Sequence, residues 1–120
     1  MTIRRLKTYT GSLGYVYQYY FVGKRSAMSD LASQPTNEYI FDVTSDRQTT
    51  YSVSIFLPAI VVDAWGESHA RALSDSEQYA AVKMRLFRAF DEIEDMQAQG
   101  RQLQIDPDFL EQALTSLGLD

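Results

Sequence analysis

Residues 38–57, EYIFDVTSDRQTTYSVSIFL, carry the pattern that decides the fold. Tyr39, Phe41 and Val43 alternate with Ile40, Asp42 and Thr44, while Tyr51, Val53, Ile55 and Leu57 alternate with Ser52, Ser54 and Phe56. A period of two sends successive side chains to opposite sides of a pleated sheet, so the stretch predicts two half-buried strands. Ser45 to Thr49 is of hairpin length, and the strands are expected to pair antiparallel with the Tyr39 and Tyr51 sets against the core. A slip of one residue would turn Asp42 and both serines inward.

Working outward toward the N-terminus, Ile3 to Thr10 reads as a short strand, Gly11 to Gly14 supply turn chemistry, and Tyr15 to Val22 are β-branched or aromatic almost throughout. These three pieces predict a first hairpin. Residues 24–37, KRSAMSDLASQPTN, are polar, contain Pro35 and lack strand periodicity. They are expected to form a long connection or a short helical turn around Asp30.

Toward the C-terminus the period lengthens. Pro58 suits the first turn of a helix over 58–71, with Val61, Trp65 and Ala72 on one stripe, although Gly66 weakens it by about 1 kcal/mol relative to alanine. Ser74-Asp75-Ser76-Glu77 has the spacing of a capping box, in which serine and glutamate side chains satisfy each other's backbone N–H groups. Tyr79, Val82, Leu86, Phe90 and Ile93 then recur at intervals of three and four, predicting a core helix that runs to about Ala98 and ends at Gly100. Asp106-Pro107 opens a last helix whose apolar stripe is Phe109 or Leu110, Ala113 and Leu117, closing before Gly118. Strands first and helices second is the segregated α+β pattern. The expected architecture is an antiparallel four-stranded sheet from the N-terminal half, with three helices from the C-terminal half packed on one face, as a single α+β domain over 1–120.

Composition agrees with one globular unit: 120 residues, 45% hydrophobic and 22% charged. Size scaling gives about 6,600 Å² of folded surface from about 20,000 Å² unfolded, enough for one core without a staple. Cysteine is absent, which excludes disulfides, thiolate nucleophiles and cysteine-containing metal sites. The longest apolar run, Ile55 to Val62, contains Pro58 and is far short of the roughly 20 residues needed to cross a bilayer. Arg4, Arg5 and Lys7 imitate a signal peptide's charged start, but a tyrosine-rich stretch ended by Lys24 and Arg25 follows them, so a cytoplasmic protein is expected.

Residues 1–25 carry a net charge of +5 and residues 26–120 a net charge of −10. Arg4, Arg5, Lys24, Arg25 and Arg47 are the candidate anion contacts. The commoner reading of such residues is that they flank exposed strand positions opposite acidic helices.

The face of the sheet away from the helices would hold Ile40, Phe56 and one of the two tyrosine sets of the second strand. An apolar surface of that kind marks an interaction site, most often with a second copy in two-fold symmetry. Tyr17, Tyr19, Tyr20, Ile40 and Phe56 are the nominated contacts of this homodimer. Tyrosines also stack on bases, and Gly14, Tyr15, Tyr17 and Tyr20 partly match the octamer of RNA-recognition motifs. Leu13, Val16 and Gln18 depart from it, too few residues precede the strand, and the chain is acidic. Single-stranded nucleic acid is therefore a minor alternative.

His69 is the sole histidine, so a His-pair metal site is excluded. It is expected to rest, partly exposed, on Trp65 four residues earlier. Asp91, Glu92, Glu94 and Asp95 cluster late in the core helix, where a solvated face bridged to Arg88 is expected and where negative charge opposes the helix dipole. Phosphate loops, GxSxG elbows and HExxH helices are missing, so no cofactor or metal is expected. The chain reads as a non-enzymatic binding or adaptor module. The alternative is a small-ligand binder or cofactor-free enzyme, with a pocket between sheet and helices roofed by the 24–37 segment.

Overall fold

The computed structural model describes residues 5–28 and 35–120. Four strands follow one another antiparallel: β1 (Lys7–Thr10), β2 (Val16–Met28), β3 (Pro35–Thr44) and β4 (Tyr51–Pro58). Helices α1 (Ala59–His69), α2 (Asp75–Glu92) and α3 (Met96–Gln99) come next, then β5 (Gln102–Gln104) and α4 (Pro107–Ser116). The sheet order is β1-β2-β3-β4-β5, and β5 lies parallel to β4. The α+β class is as expected, but among the described residues the sheet is mixed with five strands and there are four helices. Among the described residues no helix is long and apolar enough to cross a membrane.

The additional strand is only Gln-Leu-Gln, too short for a visible period. Its place is set by tertiary contacts, with Leu103 buried and Ile105 N–H donating to the Phe56 carbonyl at 3.0 Å. The additional helix arises because α2 stops earlier than its stripe suggests. Ile93 adopts an extended backbone, φ −98 and ψ 115, and Asp95 starts a new turn by accepting from the Ala98 N–H at 3.1 Å. Gly100 thus closes α3 rather than one long helix. Pro58 sits at the N-cap of α1, one residue before the helix, and Ala72 is exposed rather than on its buried stripe.

The 24–37 segment is also corrected. β2 continues to Met28 and β3 begins at Pro35, so both ends of the expected connection are paired strand. A register shift between Phe21 and Gly23 breaks the alternation that would have revealed it. Pro35 stands at the first position of its strand, where the lost donor matters least. The turn around Asp30, and Ile3 at the start of the first strand, lie outside the described residues.

The 39–57 reading holds in register: Tyr39 pairs with Ile55, Phe41 with Val53 and Val43 with Tyr51, all of them buried. Val82, Leu86, Phe90, Leu110 and Leu114 join these strand residues in one hydrophobic cluster. The capping box at Ser74 forms in both directions. In the turn between β1 and β2, Gly14 takes a positive φ of 96, and Gly11 passes so close to the end of α2 that an added Cβ would meet the Phe90 carbonyl at 2.5 Å.

Candidate functional site

Strand β2 divides the nominated contacts between the two faces. Tyr17 and Tyr19 are 2% and 4% exposed and belong to the core, not to the opposite face. Tyr17 stacks on Phe90 with centroids 4.1 Å apart, and Tyr19 meets Phe41 and Phe87 edge-on. The rings are therefore engaged inside the molecule, where no base or second copy could use their faces. Tyr20 points the other way, and its hydroxyl donates to Asp42 at 2.7 Å on the adjacent strand.

Ile40 and Phe56 are half-buried and lie outside the core cluster. Glu38, which pairs in register with Phe56, is 6% exposed on this same face. It accepts from Arg25 Nε at 2.7 Å and from the Ser54 hydroxyl at 2.7 Å. The Arg25 hydrogen bond, followed by that of Ser54, holds the Glu38 carboxyl below its usual range. Among the described residues, the face opposite the core is therefore a hydrogen-bonded polar surface with Ile40, Phe56 and the exposed Val16 as its larger aliphatic or phenyl side chains, less greasy than the strand pattern implied.

The candidate anion contacts do not assemble. Arg25 is taken by Glu38, whereas Lys24 reaches the opposite face, 5.7 Å from the Tyr39 ring centre. Arg47 sits at positive φ in the β3–β4 turn, beyond Thr44 and so roughly 17 Å of strand from Tyr39. Arg5 is exposed just before β1, and Arg4 lies outside the described residues.

His69 stacks on Trp65 at 4.1 Å, and its Nε2–H donates to Glu111 at 3.0 Å. Arg71 also approaches Trp65, 4.9 Å from the ring centre. Of the acidic cluster, Glu92 pairs with Arg88, but Asp91 takes neutral partners. It accepts from the Tyr9 hydroxyl at 2.9 Å and from the Ser12 N–H at 2.9 Å, and so ties the first turn to the end of α2. Among the described residues no three histidine or acidic side chains come together to hold a metal ion.

Glu94 and Asp95 lie past the break in α2 and have a different setting. They border an open cleft of about 550 Å³ between the start of β2, the start of β4 and α3, lined also by Tyr15, Tyr17, Tyr51 and Met96. Tyr17 and Tyr51 are 2% and 7% exposed, yet their hydroxyls make no hydrogen bond within the described residues and are not sealed from solvent. Burial raises both phenol pKa values, and the Asp95 charge adds to the rise. This site escaped the sequence because it exists only where the helix breaks. The available signal was β-branched Ile93 followed two residues later by a capping aspartate.

A second groove of about 410 Å³ runs between α2 and α4, but Arg88 already bridges it, paired with Glu92 and 5.5 Å from the Phe109 ring centre. No family model, curated protein or solved structure matches the chain.

Proposed function

We propose that the chain is a non-enzymatic binding module whose cleft between β2, β4 and α3 receives a small polar ligand or a partner's side chain. Tyr17 and Tyr51 carry this reading. Both residues are packed into the core and line the cleft, and neither hydroxyl has a partner among the described residues, although buried phenols ordinarily find one. Such groups are preorganised to hydrogen-bond an incoming molecule. Their raised pKa values make them poor general bases near neutral pH, which favours recognition over proton transfer.

The test is a methyl NMR titration of methionine-labelled protein with pentylamine, pentanol and pentanoate. Met96 in the cleft is expected to shift with at least one probe while Met84 in the α2–α4 groove stays still. A Met96 signal that none of the three moves contradicts the reading.

A second reading is a homodimer through the sheet face opposite the core, favoured by Ile40 and Phe56. These lie in diagonal register there, Ile40 opposite Ser54 and Phe56 opposite Glu38, with Gly23 leaving one side of Ile40 uncovered. The interface would use Tyr20, Ile40 and Phe56, without Tyr17 and Tyr19. Sedimentation equilibrium at about 100 μM tests it. A dimer that Phe56→Lys converts to monomer supports this reading, and a monomer in the wild type removes it.

A further inference from the structure

We propose that the cleft takes an organic cation, an ammonium group on a short alkyl stem, supplied either as a free amine or as the side chain of a lysine. The proposal rests on the reading that this cleft is a binding site, and it names the chemistry of the occupant. Among the described residues, Glu94 and Asp95 are the charged residues of its wall, and neither lysine nor arginine lines it. Asp95 commits Oδ1 to the Ala98 N–H, leaving Oδ2 available, and Glu94 forms no ion pair with any described residue.

An ammonium brings three donors and no acceptor. The cleft offers the complement, with carboxylate oxygens beside the lone pairs of the Tyr17 and Tyr51 hydroxyls. Tyr15, 42% exposed and edge-on to Tyr17 at 6.4 Å, adds a ring face that attracts a cation. Met96 and the buried rings give the alkyl stem an apolar surface. An anion would instead meet two carboxylates.

The electrostatic setting agrees. Both acids stand just beyond the C-terminus of the 18-residue α2, the negative end of its dipole, and the last turn of α2 holds no basic residue to offset it. The charge of Asp95 that hinders ionisation of Tyr17 and Tyr51 attracts a cation at the same place. Arg101, the nearest opposing influence on Tyr51, directs its Nε to the Ser52 carbonyl at 3.0 Å and does not line the cleft.

Calorimetric titration of the full chain at neutral pH and low salt tests this with pentylamine, pentanol and pentanoate. Pentylamine is expected to bind about tenfold or more tightly than pentanol, and pentanoate more weakly than either. Asp95→Asn keeps a good helix cap and so preserves melting temperature, but it should weaken the amine about tenfold. Glu94→Gln should weaken it about threefold, less because its longer side chain loses more rotamer freedom in holding the ammonium. Nα-acetyl-lysine methylamide separates the sources: tighter binding than pentylamine assigns the site to a lysine side chain, and weaker binding assigns it to a free amine.

Equal affinity for pentanol and pentylamine, or amine binding unchanged in the Glu94→Gln/Asp95→Asn variant, overturns the cation assignment. If pentanol or pentanoate then still binds and Tyr51→Phe weakens it, the cleft stands as a binding site for other chemistry. Failure of all three probes overturns both.

Discussion

Beneath α2, and again at the end where α2 stops, the strands turn tyrosines to the same side of the sheet, with opposite results. Under the helix, Phe87 and Phe90 stack on Tyr9 and Tyr17 at 4.4 and 4.1 Å, and the space is filled. Past Ile93 the cover shrinks to the four-residue α3, and the rims of Tyr17 and Tyr51 open on a cleft. The residue type is shared, so the length of the covering helix decides whether a buried tyrosine is only core or also borders a cleft. Tyr17 belongs to both regions, with its ring in one and its hydroxyl in the other.

The filled region should be the costlier to disturb. Phe90→Ala removes a fully buried ring that touches Tyr9, Tyr17 and Tyr19, and should lower stability by about 3–5 kcal/mol in urea unfolding. A loss below about 1 kcal/mol would mean that the stacks under α2 contribute little. Tyr9→Phe keeps its ring on Phe87 but deletes the hydrogen bond to Asp91, with an expected cost of about 1.5 kcal/mol for a bond to a charged acceptor. Ser74→Ala removes the cap that starts the covering helix, and about 1 kcal/mol should be lost.

The sheet face opposite the core is distinguished by its response to acid. Glu38 has a lowered pKa in the folded chain because of Arg25 and then Ser54, so folding prefers the ionised form. Its contribution is complete above the usual value of 4.5 and is lost as pH falls through the lowered one. Glu38→Gln should flatten that part of the acid limb in a series of urea titrations, and an unaltered limb would show that the ion pair is idle. The smallest expected effect on stability is at the cleft. Tyr51→Phe should change unfolding free energy by no more than about 0.5 kcal/mol, because the deleted hydroxyl bonds to nothing in the described chain. Ligand affinity should fall all the same. Comparable losses for Tyr9→Phe and Tyr51→Phe would erase the distinction between the two regions.

Legibility in the sequence followed the same division. Tyr39 to Val43 and Tyr51 to Leu57 could be assigned to the core because apolar and polar residues alternate there. The start of α2 was equally readable, since a capping box is local. β2 was not, because Tyr17 and Tyr19 on one parity and Tyr20 on the other give no hydropathic contrast. Their assignment is made by Phe87 and Phe90, far along the chain. Lys24 to Met28 look like loop because a bulge shifts their register and Arg25 is satisfied only across the ladder by Glu38. The cleft depends on Ile93 leaving the helix although it continues the apolar stripe, and the local signal for the break, the Asp95 cap two residues later, is weaker to the eye than that stripe.

Tyr17 and Tyr51 line the cleft whereas the equally buried Tyr19 and Tyr39 do not, and tyrosine-labelled carbon-13 NMR reads each phenol separately. Tyr39 is the internal control, with its hydroxyl unpaired but sealed from solvent. On titration with pentylamine, the Tyr17 and Tyr51 resonances should move together while Tyr19 and Tyr39 stay fixed. Movement of all four alike, or stillness of Tyr17 and Tyr51 at saturating amine, would contradict the account.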